Sequence, residues 1–305
     1  MRLIPKQKRI LLNKKKNWGE PVMQNMRDIK RRIHSVENTQ KITRAMKMVA
    51  AARLRNAQKK AEQSRPFFNK TREILANIVK FTREAAEHPL MKKREANNRL
   101  FIVISGDRGL CGAYNHRVID KLEENINNRG KLSLLVIGRK ARDYVRKRNF
   151  NIISEYVQID DYPDFGFASK IGEEVISLFR DDIVDRVKLI YTHFDSALQQ
   201  TTRLISLLPV SSPGTEPEKL VDYIYEPAPG PILDIILPRY INNVLYSALL
   251  ESRASEFGSR MTAMDSATEN AAEMIAELKL SYNRARQAQI TREITEIVGG
   301  AEALK

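Results

Sequence analysis

Two helical runs of unusual length bracket this chain, and they dictate what it can fold into. They cover residues 27 to about 83 and 239 to about 298. In the first, Ala50, Leu54, Ala57, Ala61, Ser64, Phe68, Thr71, Leu75 and Ile78 recur at alternating steps of four and three, the seam of a coiled coil. In the second, Met261, Met264, Thr268, Ala271, Ile275, Leu278, Tyr282 and Ala285 repeat the pattern. A helix advances about 1.5 Å per residue, so each run makes a rod of roughly 80 to 90 Å. The two rods are expected to pair and to project from a smaller body. Nearer the N-terminus, Ile29, Ile33 and Val36 share a face; apolar residues resume at Ile42, Met46 and Val49, and the altered spacing through Asn38, Thr39 and Gln40 predicts a local discontinuity in the supercoil.

The sequence between the rods alternates short β-rich runs with helical stretches. Arg99 to Ser105, Leu132 to Ile137 and Arg186 to Thr192 read as strands, and Asn115 to Asn127, Arg139 to Arg148 and Phe167 to Phe179 as helices. That order predicts a partly parallel sheet covered by helices, a central Rossmann-like α/β domain. Thr201 to Val210 and Leu220 to Glu226 read as added strands around a loop holding Ser211, Ser212, Pro213, Gly214 and Pro217. The run Pro227-Ala-Pro-Gly-Pro231 is expected to block regular structure before the last helix. The division expected is a basic extension at 1–25, a coiled-coil helix at 26–85, an α/β domain at 86–231 and a second coiled-coil helix at 232–305.

Composition narrows the function classes. No apolar stretch approaches the length of a membrane span; Leu132 to Ile137 and Ile232 to Leu237 are strand-sized. With a single cysteine, Cys111, there is no intramolecular disulfide or thiolate cluster, and His34, His88, His116 and His193 lack ligand spacing, so no metal or cofactor is expected. The net charge of +15 asks for an acidic partner but selects neither nucleic acid, membrane nor protein. Part of that charge lies in residues 1–25, where Arg2, Lys6, Lys8, Arg9, Lys14, Lys15 and Lys16 face only Glu20; the segment reads as a disordered tail or an over-extended start, with Met26 as an alternative first residue. Nucleic-acid binding lacks a recognition module or stacking motif.

Gly106-Asp-Arg-Gly-Leu-Cys-Gly112 follows a strand and precedes a helix, the place of a phosphate loop. It has neither the Gly-Lys-Ser/Thr ending nor the G-x-G-x-x-G spacing of one, so a tight turn is the better reading. Cys111 reads as a small buried filler rather than a nucleophile.

Three segments resemble the gamma subunit of rotary ATP synthases: Ile33 to Arg53 (IHSVENTQKITRAMKMVAAAR), Gly106 to Asn115 (GDRGLCGAYN) and Ile290 to Leu304 (ITREITEIVGGAEAL). They stand at the start, middle and end of residues 26 to 305. One departure is Gly106, where the family more often has Ser or Thr before the Asp. The resemblance implies an asymmetric antiparallel coiled coil inside a ring of alternating alpha and beta subunits, with the α/β domain beside the epsilon subunit and on the c-ring. It implies a rotor shaft without catalytic residues, nucleotide chemistry belonging to the beta subunits, and no nucleic acid or small-molecule substrate.

Residue by residue, the resemblance places Arg44, Met46 and Lys47 against the lower, acidic part of a beta subunit and Arg260 against a beta-subunit catch loop. Arg286, Gln287, Thr291 and Glu293 match contacts of the upper shaft. Intrahelix pairing is the rival reading for each. Ile294 and Ile297, with Ile290 and Val298, form an apolar tip suited to a bearing. The photosynthetic form carries a two-cysteine redox segment that is missing here. That favours a bacterial subunit, peripheral on the cytoplasmic side of the cell membrane, and leaves a mitochondrial matrix location open.

Overall fold

The computed structural model describes residues 26–81, 87–95, 97–126, 131–211 and 229–302. The basic extension, the Leu220 to Glu226 run and Ser212 to Ala228 lie outside the described residues. The elements, in chain order, are α1 (Met26–Phe81), β1 (Asn98–Ile104), α2 (Tyr114–Asn125), β2 (Lys131–Ile137), α3 (Arg139–Lys147), β3 (Asn151–Tyr156), α4 (Phe165–Arg180), β4 (Arg186–Phe194), β5 (Gln200–Leu208) and α5 (Pro229–Glu302). Contacts divide the chain into two units: residues 45–265, and residues 1–44 with 266–305.

In the unit 45–265 the sheet has the order β3-β2-β1-β4-β5. β1 pairs in parallel with β2 and β4, β2 in parallel with β3, and β5 is antiparallel to β4. Because the inner strands are covered on both faces, they read as continuous apolar runs. Their side chains sort by parity. Leu100, Ile102 and Ile104 of β1 with Leu135 and Ile137 of β2 meet Ile171, Val175 and Phe179 of α4, Leu237, Ile241 and Leu245 of α5, and Leu75 and Ile78 of α1. Phe101, Val103, Leu134 and Val136 meet Val118 and Leu122 of α2 and Val145 of α3 on the other face. Asp164 caps α4, its carboxylate accepting from the Phe167 amide at 2.8 Å.

Sequence reading missed β3. NIISEY is a short edge strand of intermediate burial whose polar Asn151, Ser154 and Glu155 weaken the apolar signal. The expected break at Pro227 to Pro231 also differs: α5 begins at Pro229, so Gly230, Pro231 and Ile232 to Leu237 are helical. Proline is tolerated in a first turn because the missing amide has no intrahelical partner there. Pro66 in α1 and Pro238 in α5 each remove a ladder bond, yet both helices continue, held by packing such as the Phe68–Tyr240 ring pair at 6.4 Å.

In the same unit α1 and α5 run antiparallel: Lys47 Nζ meets Asp265 Oδ1 at 2.5 Å, and Leu54 and Ala57 pack with Ala254 and Phe257. Farther along α1, Thr71 accepts from Asn243 at 3.3 Å. In the other unit, Thr43 and Thr268 share a hydrogen bond of 2.8 Å, and Ile29, Ala271 and Ile275 are buried.

The expected discontinuity is absent. Among the buried and half-buried positions of α1, Ile29, Ile33, Val36, Gln40 and Thr43 in one unit and Lys47, Ala50, Leu54 and Ala57 in the other follow one another at steps of three and four. Ile42 and Val49 do not join the seam; they are 61% and 52% exposed. Apolar residues alone gave the wrong phase, since the seam here carries polar groups that find partners in the facing helix. Ile42→Ser and Val49→Ser should therefore each change stability by less than about 0.5 kcal/mol. Urea unfolding followed by helical circular dichroism checks this; Leu54→Ser in the same assay should cost several times more.

Candidate functional site

The family-like glycine turn is held by its own side chains. Asp107 accepts backbone N–H bonds from Arg139 (2.9 Å) and Gln158 (3.2 Å) on Oδ1 and from Ile159 (3.0 Å) on Oδ2. It thereby ties the start of α3 and the segment after β3 to the end of β1. Asn115 Oδ1 accepts from the Gly106 amide at 2.9 Å, while its Nδ2 donates to Arg108 O at 3.2 Å. Leu110 and Gly112 take the left-handed φ values of 60° and 54° that close the turn. The Cys111 side chain is buried, and burial raises its thiol pKa, so the thiol form persists.

Arg260 lies beside this turn. Its Nη2 donates to Glu256 Oε1 at 2.7 Å and to Gly109 O at 3.3 Å. Glu256 Oε2 accepts from Arg253 Nη1 at 2.8 Å, and Arg253 Nη2 donates to Ile159 O at 2.7 Å. Asp107 Oδ2 stands 3.9 Å from Arg253. The side chains of Glu256, Arg253 and Arg260 are 4%, 8% and 12% exposed, so these charges neutralise one another away from water. Tyr114 lies in the same region, its hydroxyl pKa raised first by burial and then by the Glu256 charge. Sequence reasoning singled out Arg260 alone of the trio. The overlooked signal was the i, i+3, i+7 spacing of Arg253, Glu256 and Arg260 among the small residues Ser252, Ala254, Ser255, Gly258 and Ser259.

The other interface candidates are more open. In the unit 45–265, Met46 is half-buried and Lys47 is the half-exposed partner of Asp265. In the other unit Arg44 is exposed, as is every residue from Arg286 to Glu302. Gln287 O accepts from Thr291 Oγ1 at 2.9 Å, and Glu293 accepts from Gln289 at 2.9 Å, both one helical turn apart. Ile290, Ile294, Ile297 and Val298 are 47%, 56%, 71% and 56% exposed, and their 4-3-1 spacing places them on one stripe of the helix. The structure thus separates the candidates into an internally bonded arginine, an ion-paired lysine and an exposed helical tip.

No cluster of His, Cys, Asp and Glu with metal-holding geometry occurs among the described residues, nor does any helix long and apolar enough to cross a membrane.

The family model described as ATP synthase matches residues 25–304. The ATP synthase gamma chain of Halothermothrix orenii is 60% identical over 287 residues, covering 93% of this chain and all of that relative. The chain belongs to the ATP synthase gamma family. The gamma chain of Heliobacterium modesticaldum is 47% identical across 92% of this chain and its own full length. Among solved structures, the central stalk and c-ring of the Tetrahymena thermophila mitochondrial ATP synthase contains a chain 28% identical, matched with a TM-score of 0.58 over 74% of this chain and 99% of that one. A chain of the Euglena gracilis mitochondrial enzyme, at 18% identity and a TM-score of 0.67 over 92% of this chain and 94% of its own, shows the same fold. As a gamma chain similar to one in a solved central stalk, this protein is a stalk subunit of ATP synthase rather than the catalytic one.

Proposed function

We propose that this gamma chain is the central rotor shaft of a proton- or sodium-translocating ATP synthase, coupling c-ring rotation to the conformational cycle of the catalytic beta subunits. The observation that carries the reading is the end of α5, which is exposed all round from Arg286 to Glu302 yet bears an isoleucine-rich stripe. Such a stripe is costly in water and fits a surrounding protein sleeve. In this reading the sleeve is the ring of alpha and beta subunits, and Arg286, Gln287, Thr291 and Glu293 meet it with Ile294 and Ile297. Arg44, Met46 and Lys47 face the moving part of a beta subunit, and Arg260, whose Nη2 is already bonded to Glu256 and Gly109, stands at the position matched to a beta-subunit catch loop. The α/β domain stands against epsilon and the c-ring, and the assembly sits peripherally on the cytoplasmic side of the bacterial membrane.

One asymmetric shaft touches three equivalent beta subunits differently, so its angle sets three different nucleotide affinities. Each ion crossing supplies about 2.3 kcal/mol per 100 mV, so several crossings are accumulated per synthetic step. The long helix pair stores that work as twist.

The test is reconstitution with alpha and beta subunits and the membrane sector in inside-out vesicles. The isolated chain should hydrolyse no ATP. Removing residues 290–305 should lower ions moved per ATP on the order of fivefold, while circular dichroism of the shortened chain still reports a folded α/β domain. Full coupling by the shortened chain, or by complexes lacking it altogether, would overturn the reading.

A further inference from the structure

In the sheet order β3-β2-β1-β4-β5, the chain leaves β1 toward one edge and returns to β4 on its other side. The crevice beyond the carboxyl ends of β1 and β4 is where open α/β sheets ordinarily take a ligand. Here α5 fills it. Ser255 Oγ donates to Thr192 O at 3.2 Å, Ser259 Oγ to Cys111 O at 2.7 Å, Arg260 to Gly109 O at 3.3 Å and Thr262 Oγ1 to Ala197 O at 3.1 Å, the last a bond it shares with Gly258 O of its own helix at the same distance. All four acceptors are backbone carbonyls, which cannot rotate away as side chains do. The approach is close on both sides: a Cβ on Gly106 would stand 3.1 Å from the Glu256 carboxylate, and one on Gly112 would stand 3.2 Å from Ser259 Oγ. Glu256 sits inside this contact between Arg253 and Arg260, its side chain 4% exposed.

We propose that the crevice is a socket for the chain's own C-terminal helix and the junction through which torque passes between the sheet domain and that helix. Glu256 is its positioning residue, holding both arginines, and through Arg260 and Arg253 the turn at Gly109 and the strand exit at Ile159. Four bonds to fixed carbonyls around a small-residue helix face resist rotation of α5 about its own axis, the motion a torque would impose. The proposal rests on the rotor reading.

The experiment uses the whole complex in inside-out vesicles and compares ions moved per ATP. Glu256→Gln should lower that ratio roughly fivefold while ATP hydrolysis stays within about twofold of the parent. A second pair, Gly112→Cys with Ala263→Cys in a Cys111→Ser background, bridges turn and helix. The built Cβ–Cβ separation of 3.7 Å suits a disulfide, and Leu110 in the same turn already holds a left-handed backbone. Oxidation of this pair should restore coupling to Glu256→Gln, and reduction should remove it again. Misdirection of Arg260 alone would leave the ratio the same in both states, whereas a merely stabilising role of Glu256, which a disulfide would also offset, would show in the reduced variant as a fall in ATP hydrolysis parallel to the fall in the ratio.

Unchanged coupling in Glu256→Gln, or a loss that oxidation does not repair, overturns the junction. If Glu256→Gln fails to assemble, the oxidised pair with Glu256 intact decides: retained coupling supports a junction that stays closed during turnover, and lost coupling overturns it. Failure of the rotor reading itself would show separately, as ion transport by complexes that lack this chain.

Discussion

Gly138→Ala is expected to cost on the order of 4 kcal/mol or more, a large share of the total stability of a folded domain. Gly138 sits between β2 and α3 at a φ of 100°, a left-handed conformation that side chains resist. A Cβ there would lie 2.2 Å from the carbonyl oxygen of Ser105 and 2.7 Å from its hydroxyl. Neither neighbour can yield. The Ser105 amide donates to Ile137 O at 2.8 Å, the Ser105 hydroxyl accepts from the Ala141 amide at 2.9 Å, and the Gly138 amide donates to Tyr156 O at 2.8 Å. Relieving the clash means separating β1 from β2 at the centre of the sheet. Urea unfolding of the full chain should show a much lower midpoint, with loss of soluble yield; a midpoint near that of the parent would contradict the close approach.

Asp107→Ala is expected to cost about 3 kcal/mol. Its carboxylate satisfies three backbone amides, those of Arg139, Gln158 and Ile159, which no other acceptor in the turn reaches at comparable distance. The side chain is 13% exposed, so water replaces it poorly. The buried Arg253, 3.9 Å away, also loses an opposing charge. Asp107→Asn keeps one acceptor oxygen and should recover roughly half the loss. The same urea assay distinguishes the two variants; equal midpoints for Asp107→Ala and the parent would mean that the turn does not depend on this residue.

These two sites show where sequence was informative. The strands β1, β2 and β4 were visible because strands buried on both faces leave no polar gap, and β5 because its apolar residues fall in a compact run before Pro209. The seams of α1 and α5 were visible wherever Leu, Ala and Ile filled them. β3 was not visible, since an edge strand needs less apolar surface and NIISEY offers little. The phase of α1 between Gln40 and Lys47 was misread for a related reason. Thr43 and Lys47 are polar by themselves, and only their partners Thr268 and Asp265, far off in sequence, make them seam residues. The glycine turn was recognisable as a turn, but its occupant was not, because the Ser-rich face of α5 reads as an ordinary helix until the sheet is placed beside it. Of the interface candidates, sequence marked Arg260 without the acid that holds it, and it marked the Ile290–Val298 tip by spacing alone.

The hydrogen bond between Thr43 and Thr268 spans 225 residues, and the Lys47–Asp265 ion pair spans 218. During synthesis the first helix leaves the ribosome long before the last exists. At roughly 5 to 20 residues per second, its apolar stripe waits about 10 to 40 s for a mate. A nascent chain of this architecture carries an unmatched half of a zipper through nearly its whole translation, which makes that stripe a natural target for holding chaperones and a site where two unfinished chains are apt to pair wrongly.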